Sequence, residues 1–298
     1  MDRTYVPLVA AKPIALKLLP QPAVRALRNV YYWYLRIRIR APRLVGPIAK
    51  RLEYRVQDGP FAGMVFPAEM VRADIESPFL PKLLGCYELE CQPWVEELCS
   101  RSYDQVINIG AGEGYYAVGL ARRMPGAKVI AFEIHDKSRE LCAVMTRLNG
   151  VEDRVEIRGA CDVQSLAEIM KGRDAKKTLV VCDCEGAELD LLQPAALPFL
   201  AETDLLVELH DFVNPAISET IRRRFTPSHE IEMTRNRERD PDAYPALLGL
   251  SADDRKFVVS EHRLSRIDWL FGTSHARAFL SAPGQSARVK SAPGKTRK

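Results

Sequence analysis

The chain has 298 residues, 47% hydrophobic and 28% charged, which is ordinary for a globular protein and allows one large domain with appendages. Its net charge of +4 is unevenly spread: residues 1–57 carry +10, residues 275–298 carry +6 and residues 58–274 carry −12. An acidic body argues against a broad nucleic-acid-binding face there and leaves contact with phosphates or anionic lipid to the basic ends, whose plainest reading is solvated arms.

The first 50 residues are basic and punctuated by proline. Lys12, Pro13, Lys17 and Pro20 break the early apolar stretch, so neither a transmembrane span nor a signal-peptide core is expected. Ala23 to Tyr34 reads as a helix carrying Tyr31, Tyr32, Trp33 and Tyr34, and Leu35 to Arg40 alternates apolar with basic. Aromatics beside arginines suit packing on the main domain, with peripheral membrane contact through residues 20–45 as the second reading. Residues 52–66 read as a hairpin turning at Asp58-Gly59-Pro60, followed by a proline-containing loop and a helix from Glu90 to Ser100.

Strand and helix patterns then alternate with short connections. Strands are expected at 105–109, 128–132, 154–158, 178–182, 205–209, 230–233 and 267–271. Between them lie helices at 115–124, 137–148, 163–171, 187–192, 216–223 and 251–262. Continuous apolar strands between amphipathic helices indicate an α/β, Rossmann-like, mostly parallel seven-stranded sheet with helices on both faces. The expected organisation is a basic extension with a hairpin (1–79), the α/β domain (80–274) and a disordered basic tail (275–298) containing Ser-Ala-Pro-Gly twice. The seven cysteines are odd in number and form no C-x-x-C pair, which indicates buried thiols in a reducing, cytoplasmic setting. Cys182 and Cys184 read as core-facing strand residues, and no metal ligands are assigned.

The first strand runs into Gly110-Ala111-Gly112-Glu113-Gly114 and then a helix. Glycines at such a turn let the backbone approach a ligand, and the helix start offers unpaired N–H groups. The dinucleotide pattern G-x-G-x-x-G is not met, because Tyr115 follows Gly114. That disfavours a nicotinamide-dependent oxidoreductase. Glu133 closes the second strand, where a carboxylate can accept two hydrogen bonds from a ribose diol, so the two features together suggest an adenosine ligand. Asp183 leaves the fourth strand at the same edge. Asp183 and Glu185 face the crevice on one reading and merely begin the next helix on the other.

The segments Ile107-Asn108-Ile109-Gly110-Ala111-Gly112-Glu113-Gly114-Tyr115-Tyr116, Ala131-Phe132-Glu133, Asp183-Cys184-Glu185-Gly186-Ala187-Glu188 and Leu206-Val207-Glu208-Leu209-His210 resemble a class I S-adenosylmethionine-dependent methyltransferase, within that class the FkbM-type family. Gly85-Cys86-Tyr87-Glu88 resembles a segment that precedes the first strand in that family, and the likeness spans residues 80–274. The resemblance implies that S-adenosylmethionine is the cofactor, its methionine portion on Gly110, Ala111, Gly112, Glu113 and Gly114. Asn108 stands beneath that loop where many members have an acid. By the same resemblance Glu133 binds the ribose, Cys161 and Asp162 face the adenine, and Asp183 lies near the methionine amino group or the acceptor.

A hydroxyl acceptor needs a base. His210 is the first candidate, with Asp183, Glu185 and Asp211 beside it. No Asn/Asp-Pro-Pro-Tyr/Phe loop follows the fourth strand and no Pro-Cys or Thr-Cys pair occurs there, which disfavours amino-group and cytosine methylation. The resemblance alone points to O-methylation of a small-molecule or glycan acceptor: a sugar, lipid-linked or secondary-metabolite hydroxyl. A protein or RNA methyltransferase using the basic arms, and a non-catalytic binding protein of the same fold, remain the alternatives.

Overall fold

A computed structural model describes residues 44–71, 78–261, 263 and 267–278. The helix expected over Ala23–Tyr34, the alternation at 35–40, nearly all of the 20–45 segment and the tail from 279 onward lie outside the described residues. Leu44 and Val45, the last two residues of that segment, are buried.

The strands are β1 (Gln105–Ile109), β2 (Lys128–Phe132), β3 (Val155–Arg158), β4 (Thr178–Cys182), β5 (Asp204–Leu209), β6 (His229–Arg235) and β7 (Asp268–Ser274). They form one sheet in the order β3-β2-β1-β4-β5-β7-β6. β1, β4 and β5 are buried along their whole length, as continuous apolar strands covered on both faces should be. β1 pairs in parallel with β2 on one side and β4 on the other, so the chain order reverses at β1. The crevice outside the carboxyl ends of β1 and β4 is thus the topological switch point, where open α/β sheets bind ligands. β7 runs antiparallel between β5 and β6, with Leu206 opposite Phe271.

The helices are α1 (Val45–Arg51), α2 (Phe79–Leu84), α3 (Gln92–Ser100), α4 (Tyr115–Arg123), α5 (Asp136–Leu148), α6 (Val163–Ile169), α7 (Glu188–Leu191), α8 (Ile217–Phe225), α9 (Ala252–Val259) and α10 (His275–Ala278). α1 to α5 and α9 contribute to one apolar cluster, and α6, α7 and α8 to a second. Helices therefore cover the sheet on both sides, and among the described residues none is long and apolar enough to cross a membrane.

Three expectations change. The hairpin at 52–66 is reduced to a single bridge, Arg55 opposite Val65, because Glu53 and Tyr54 take left-handed backbone angles as α1 ends. The proline-containing loop holds α2. Pro81 sits at its third position, where the missing N–H costs no intrahelical bond. The anticipated break at 79/80 falls inside α2, and Phe61 packs edge-on against Tyr115 and Tyr116 at 5.1 and 5.8 Å, so residues 44–71 share the core of the α/β unit. The start of the tail is also ordered into α10. Arg277 donates to the carbonyls of Ser102 and Lys176 at 2.7 Å each and lies 4.2 Å over the Tyr103 ring.

Candidate functional site

The glycine loop hangs from the sheet by its first two amides: Gly110 and Ala111 both donate to the Phe132 carbonyl at 2.9 Å. Gly110 has φ +77°, and a Cβ there would lie 1.6 Å from the Asp183 carbonyl oxygen. Only glycine allows β1 and β4 to leave the sheet side by side. Gly112 differs. Its φ is +55° and a Cβ there would meet nothing within 4 Å, so open space lies above the bend.

Glu133 is buried at the tip of β2. Its Oε2 accepts from the Gly112 amide at 2.8 Å and its Oε1 from the His135 amide at 2.8 Å. Each carboxylate oxygen has a second acceptor direction, so the group can still receive a diol. Ile134, the next residue after Glu133, is 67% exposed, an apolar side chain that the sequence reading did not single out. Asn108 is buried, and its Oδ1 has no hydrogen-bond partner.

Other expected cofactor contacts are modified by the structure. The Glu113 side chain is buried in an ion pair with Lys82 of α2, which leaves its backbone to line the loop. Asp162 is exposed and caps α6, accepting from the Ser165 amide at 2.7 Å; that contact lowers its pKa. Cys161 beside it is half-buried, and burial pushes its thiol up to about 12. Cys182 is buried and Cys184 half-buried, their sulfurs 3.5 Å apart. Asp211 accepts from the Ser218 amide and hydroxyl at 2.8 and 2.6 Å and so is tied to the start of α8. His135 is exposed.

The structure brings His210, Asp183 and Glu185 together at the ends of β4 and β5. His210 is 1% exposed. Its Nδ1 lies 2.5 Å from Oε1 of Glu188, a fully buried residue of α7. Its Nε2 faces Asp183 Oδ1 at 3.4 Å, Glu208 Oε2 at 3.4 Å and Glu185 Oε2 at 3.7 Å. Burial alone would lower the imidazole pKa, but the carboxylates of Glu188 and Glu208, then Asp183, outweigh it and push it up to about 12. The neutral-range base expected at this position is therefore not what the fold produces. Asp183, by contrast, is held well above the usual carboxylate range by burial and by Glu208.

A buried charge network missed by the sequence reading continues from here. Arg263 ion-pairs with Glu208, with Glu88 at 2.8 Å and with Glu261 at 2.6 Å. Burial would raise the Glu208 pKa, but Arg263 and His210 hold it low. Glu88 also accepts from the Tyr116 hydroxyl. Arg239 bridges Glu261 and Glu90. The Gly85–Glu88 segment is thereby fastened to the end of β5.

No family model matches the sequence, and no curated relative does. Solved structures with partial likeness include cofactor-bound Rv0187 from MTB, at 20% identity over 45% of this chain and 66% of that one, TM-score 0.35. The O-methyltransferase TomG from Streptomyces achromogenes, involved in tomaymycin synthesis and solved with SAM, is 15% identical over 60% of this chain and 77% of that one, TM-score 0.40. An O-methyltransferase from Bacillus cereus in complex with SAH is 15% identical over 67% and 82%, TM-score 0.37. Likeness at this level carries no argument about the reaction. The Rossmann-like reading rests on the strand order and the switch-point crevice themselves.

Proposed function

We propose that the chain is an S-adenosylmethionine-dependent methyltransferase, of the FkbM type that its motifs resemble, acting on a hydroxyl of a sugar, lipid-linked or secondary-metabolite acceptor. The observation that carries this reading is the Glu133–Gly112 contact: one carboxylate bonded to a three-glycine bend at the switch point of the sheet. The residues present fit the cofactor. Open space lies above Gly112, Glu133 retains acceptor capacity for ribose hydroxyls, Ile134 offers an apolar surface, and the orphaned Asn108 Oδ1 lies at the base of the loop. Gly110 to Gly114 would hold the methionine portion, and Cys161 and Asp162 would stand near the adenine.

The cofactor supplies an activated methyl group on a sulfonium, so most of the catalysis left to the protein is alignment and proton removal. Asp183 is the base in this reading. Its carboxylate stands at the end of β4, 3.4 Å from His210 Nε2, where a base can reach an acceptor hydroxyl held in the crevice. His210 keeps its proton and positions Asp183, while exposed Glu185 lines the mouth. Calorimetric titration of the full chain with S-adenosylhomocysteine tests the reading. Saturable binding that Glu133→Ala weakens at least tenfold, about 1.4 kcal/mol, supports it. No binding, or binding of NAD(P)H instead, overturns it.

A further inference from the structure

We infer that Cys182 and Cys184 form a redox-modification site, a dithiol that a peroxide closes into a disulfide on either side of Asp183. Cys182 ends β4 and Cys184 stands two residues on, so their side chains share a face of the chain. The two sulfurs lie 3.5 Å apart, in hydrogen-bond contact. A disulfide needs about 2.05 Å between sulfurs and about 4.4–6.8 Å between α-carbons. Two residues of extended chain span about 6.6 Å, which lies inside that range. The sulfurs have only about 1.5 Å left to close.

A second observation is independent of that distance. The backbone after Cys184 is left-handed at Glu185, a non-glycine residue with φ +53°, and again at Gly186 with φ +111°. At Glu185 that conformation is strained, and strain of this kind collects in segments that change shape. The Glu185 side chain is 71% exposed, so the turn after Cys184 faces solvent and has room to shift as the ring closes. On the other side, the Asp183 amide is tied to the Ile109 carbonyl at 2.9 Å, which holds Cys182 against the sheet. The sulfur that moves is therefore that of Cys184.

The two thiols play different parts. Cys182 is fully buried, and its hydrogen bond to Cys184 together with burial raises its thiol well above the ordinary value. It keeps its proton and directs it at its neighbour. Cys184 is half-buried and meets the oxidant first. Its thiolate attacks one peroxide oxygen, the O–O bond breaks, and the other oxygen leaves as hydroxide. The sulfur, oxidised by two electrons, is then a sulfenic acid. The Cys182 sulfur attacks it, an S–S bond forms, the S–O bond breaks, and the departing hydroxide takes the Cys182 proton as water. Two thiols and one hydrogen peroxide thus give one disulfide and two waters. Asp183 is enclosed in the small ring so formed, which pulls it from its 3.4 Å approach to His210. A consequent loss of methyl transfer rests on the proposed function, whereas the disulfide does not. In a reducing setting such a bond is transient and redox-sensing.

Cys161 packs on the same apolar cluster as Cys184 and is the competing partner. The test treats the full chain with dilute hydrogen peroxide, alkylates the remaining thiols and maps tryptic peptides by mass spectrometry. Cys182 and Cys184 fall on one peptide, Thr178–Arg222, and Cys161 on another, Gly159–Lys171. The 178–222 peptide is expected unalkylated and lighter by two hydrogens, with dithiothreitol restoring two alkylated thiols. Treated in the presence of dimedone, Cys182→Ser should carry the adduct on Cys184, and Cys184→Ser should carry none on Cys182. Two alkylated thiols after treatment, a cross-link between the two peptides, or dimedone on Cys182 in Cys184→Ser refutes the site. A chain that forms the bond but binds no S-adenosylhomocysteine would keep the site and lose the proposed function. Binding without the bond would lose the site alone.

Discussion

Oε2 of Glu133 accepts a hydrogen bond from the Gly112 amide at 2.8 Å, so the tip of β2 and the bend after β1 are held as one unit. The two glycines of that bend then serve different ends, and substitution should separate them. Gly112→Ala adds a methyl group to space that no protein atom occupies. It should cost only the left-handed backbone penalty, about 1–2 kcal/mol, yet weaken S-adenosylhomocysteine at least tenfold by filling ligand space. An unchanged dissociation constant would show that the cofactor does not lie over Gly112.

Gly110→Ala should behave oppositely. Its Cβ would overlap the Asp183 carbonyl oxygen at 1.6 Å, a backbone atom that cannot rotate away. Prising β1 and β4 apart at their ends should cost about 4 kcal/mol or more. Urea titration monitored by circular dichroism checks this. A denaturation midpoint close to that of the parent would contradict the close strand approach.

Asp204 links four elements away from the site. Its Oδ2 receives the Tyr103 hydroxyl at 2.5 Å and Arg101 at 2.7 Å, with Arg277 at 3.4 Å, while Oδ1 receives the Ser274 amide at 3.0 Å. Removing one partner of a buried pair leaves the others uncompensated, typically 3–5 kcal/mol. Asp204→Ala should therefore lower the melting temperature by roughly 6–20 °C, at about 2–4 °C per kcal/mol for a domain of this size. Scanning calorimetry showing a shift within error would mean that water replaces the carboxylate at no cost.

The parts legible in the sequence were those governed by local pattern. Runs such as Val106–Ile109 and Leu179–Cys182 could be read as buried strands, and the helix expected at 251–262 does start on Ser251, whose side chain caps it by accepting from the Asp254 amide at 3.1 Å. The insertion of β7 between β5 and β6 was not legible, because pairing across about 60 residues depends on packing and leaves no local mark. α2 was hidden by Pro81. In the site, Gly110–Gly114, Glu133, Asp183 and His210 announced themselves by position after strands. Glu188 entered the sequence reading only as the end of a motif, yet it holds the imidazole. Glu88 and Arg263 meet across 175 residues, a juxtaposition that no spacing rule foresees.

That last pair gives the fold a pH dependence whose sign can be worked out. Glu88 is buried against Glu208, Arg263, Glu261 and the Tyr116 hydroxyl, and burial with its acidic neighbours pushes its carboxyl up to about 8. The unfolded carboxyl releases its proton near the ordinary value of 4.5. Between those values the folded chain holds the proton that the unfolded chain has lost, so stability falls as pH rises through the interval. The contribution is fully present below 4.5 and gone above about 8. Glu88→Gln keeps an acceptor for Tyr116 and removes the titration. Melting temperatures measured from pH 5 to 9 should decline more steeply for the parent than for the variant, the two curves converging or crossing near the alkaline end. Parallel curves would show that Arg263 already holds Glu88 ionised throughout, with the burial penalty fully offset by that one ion pair.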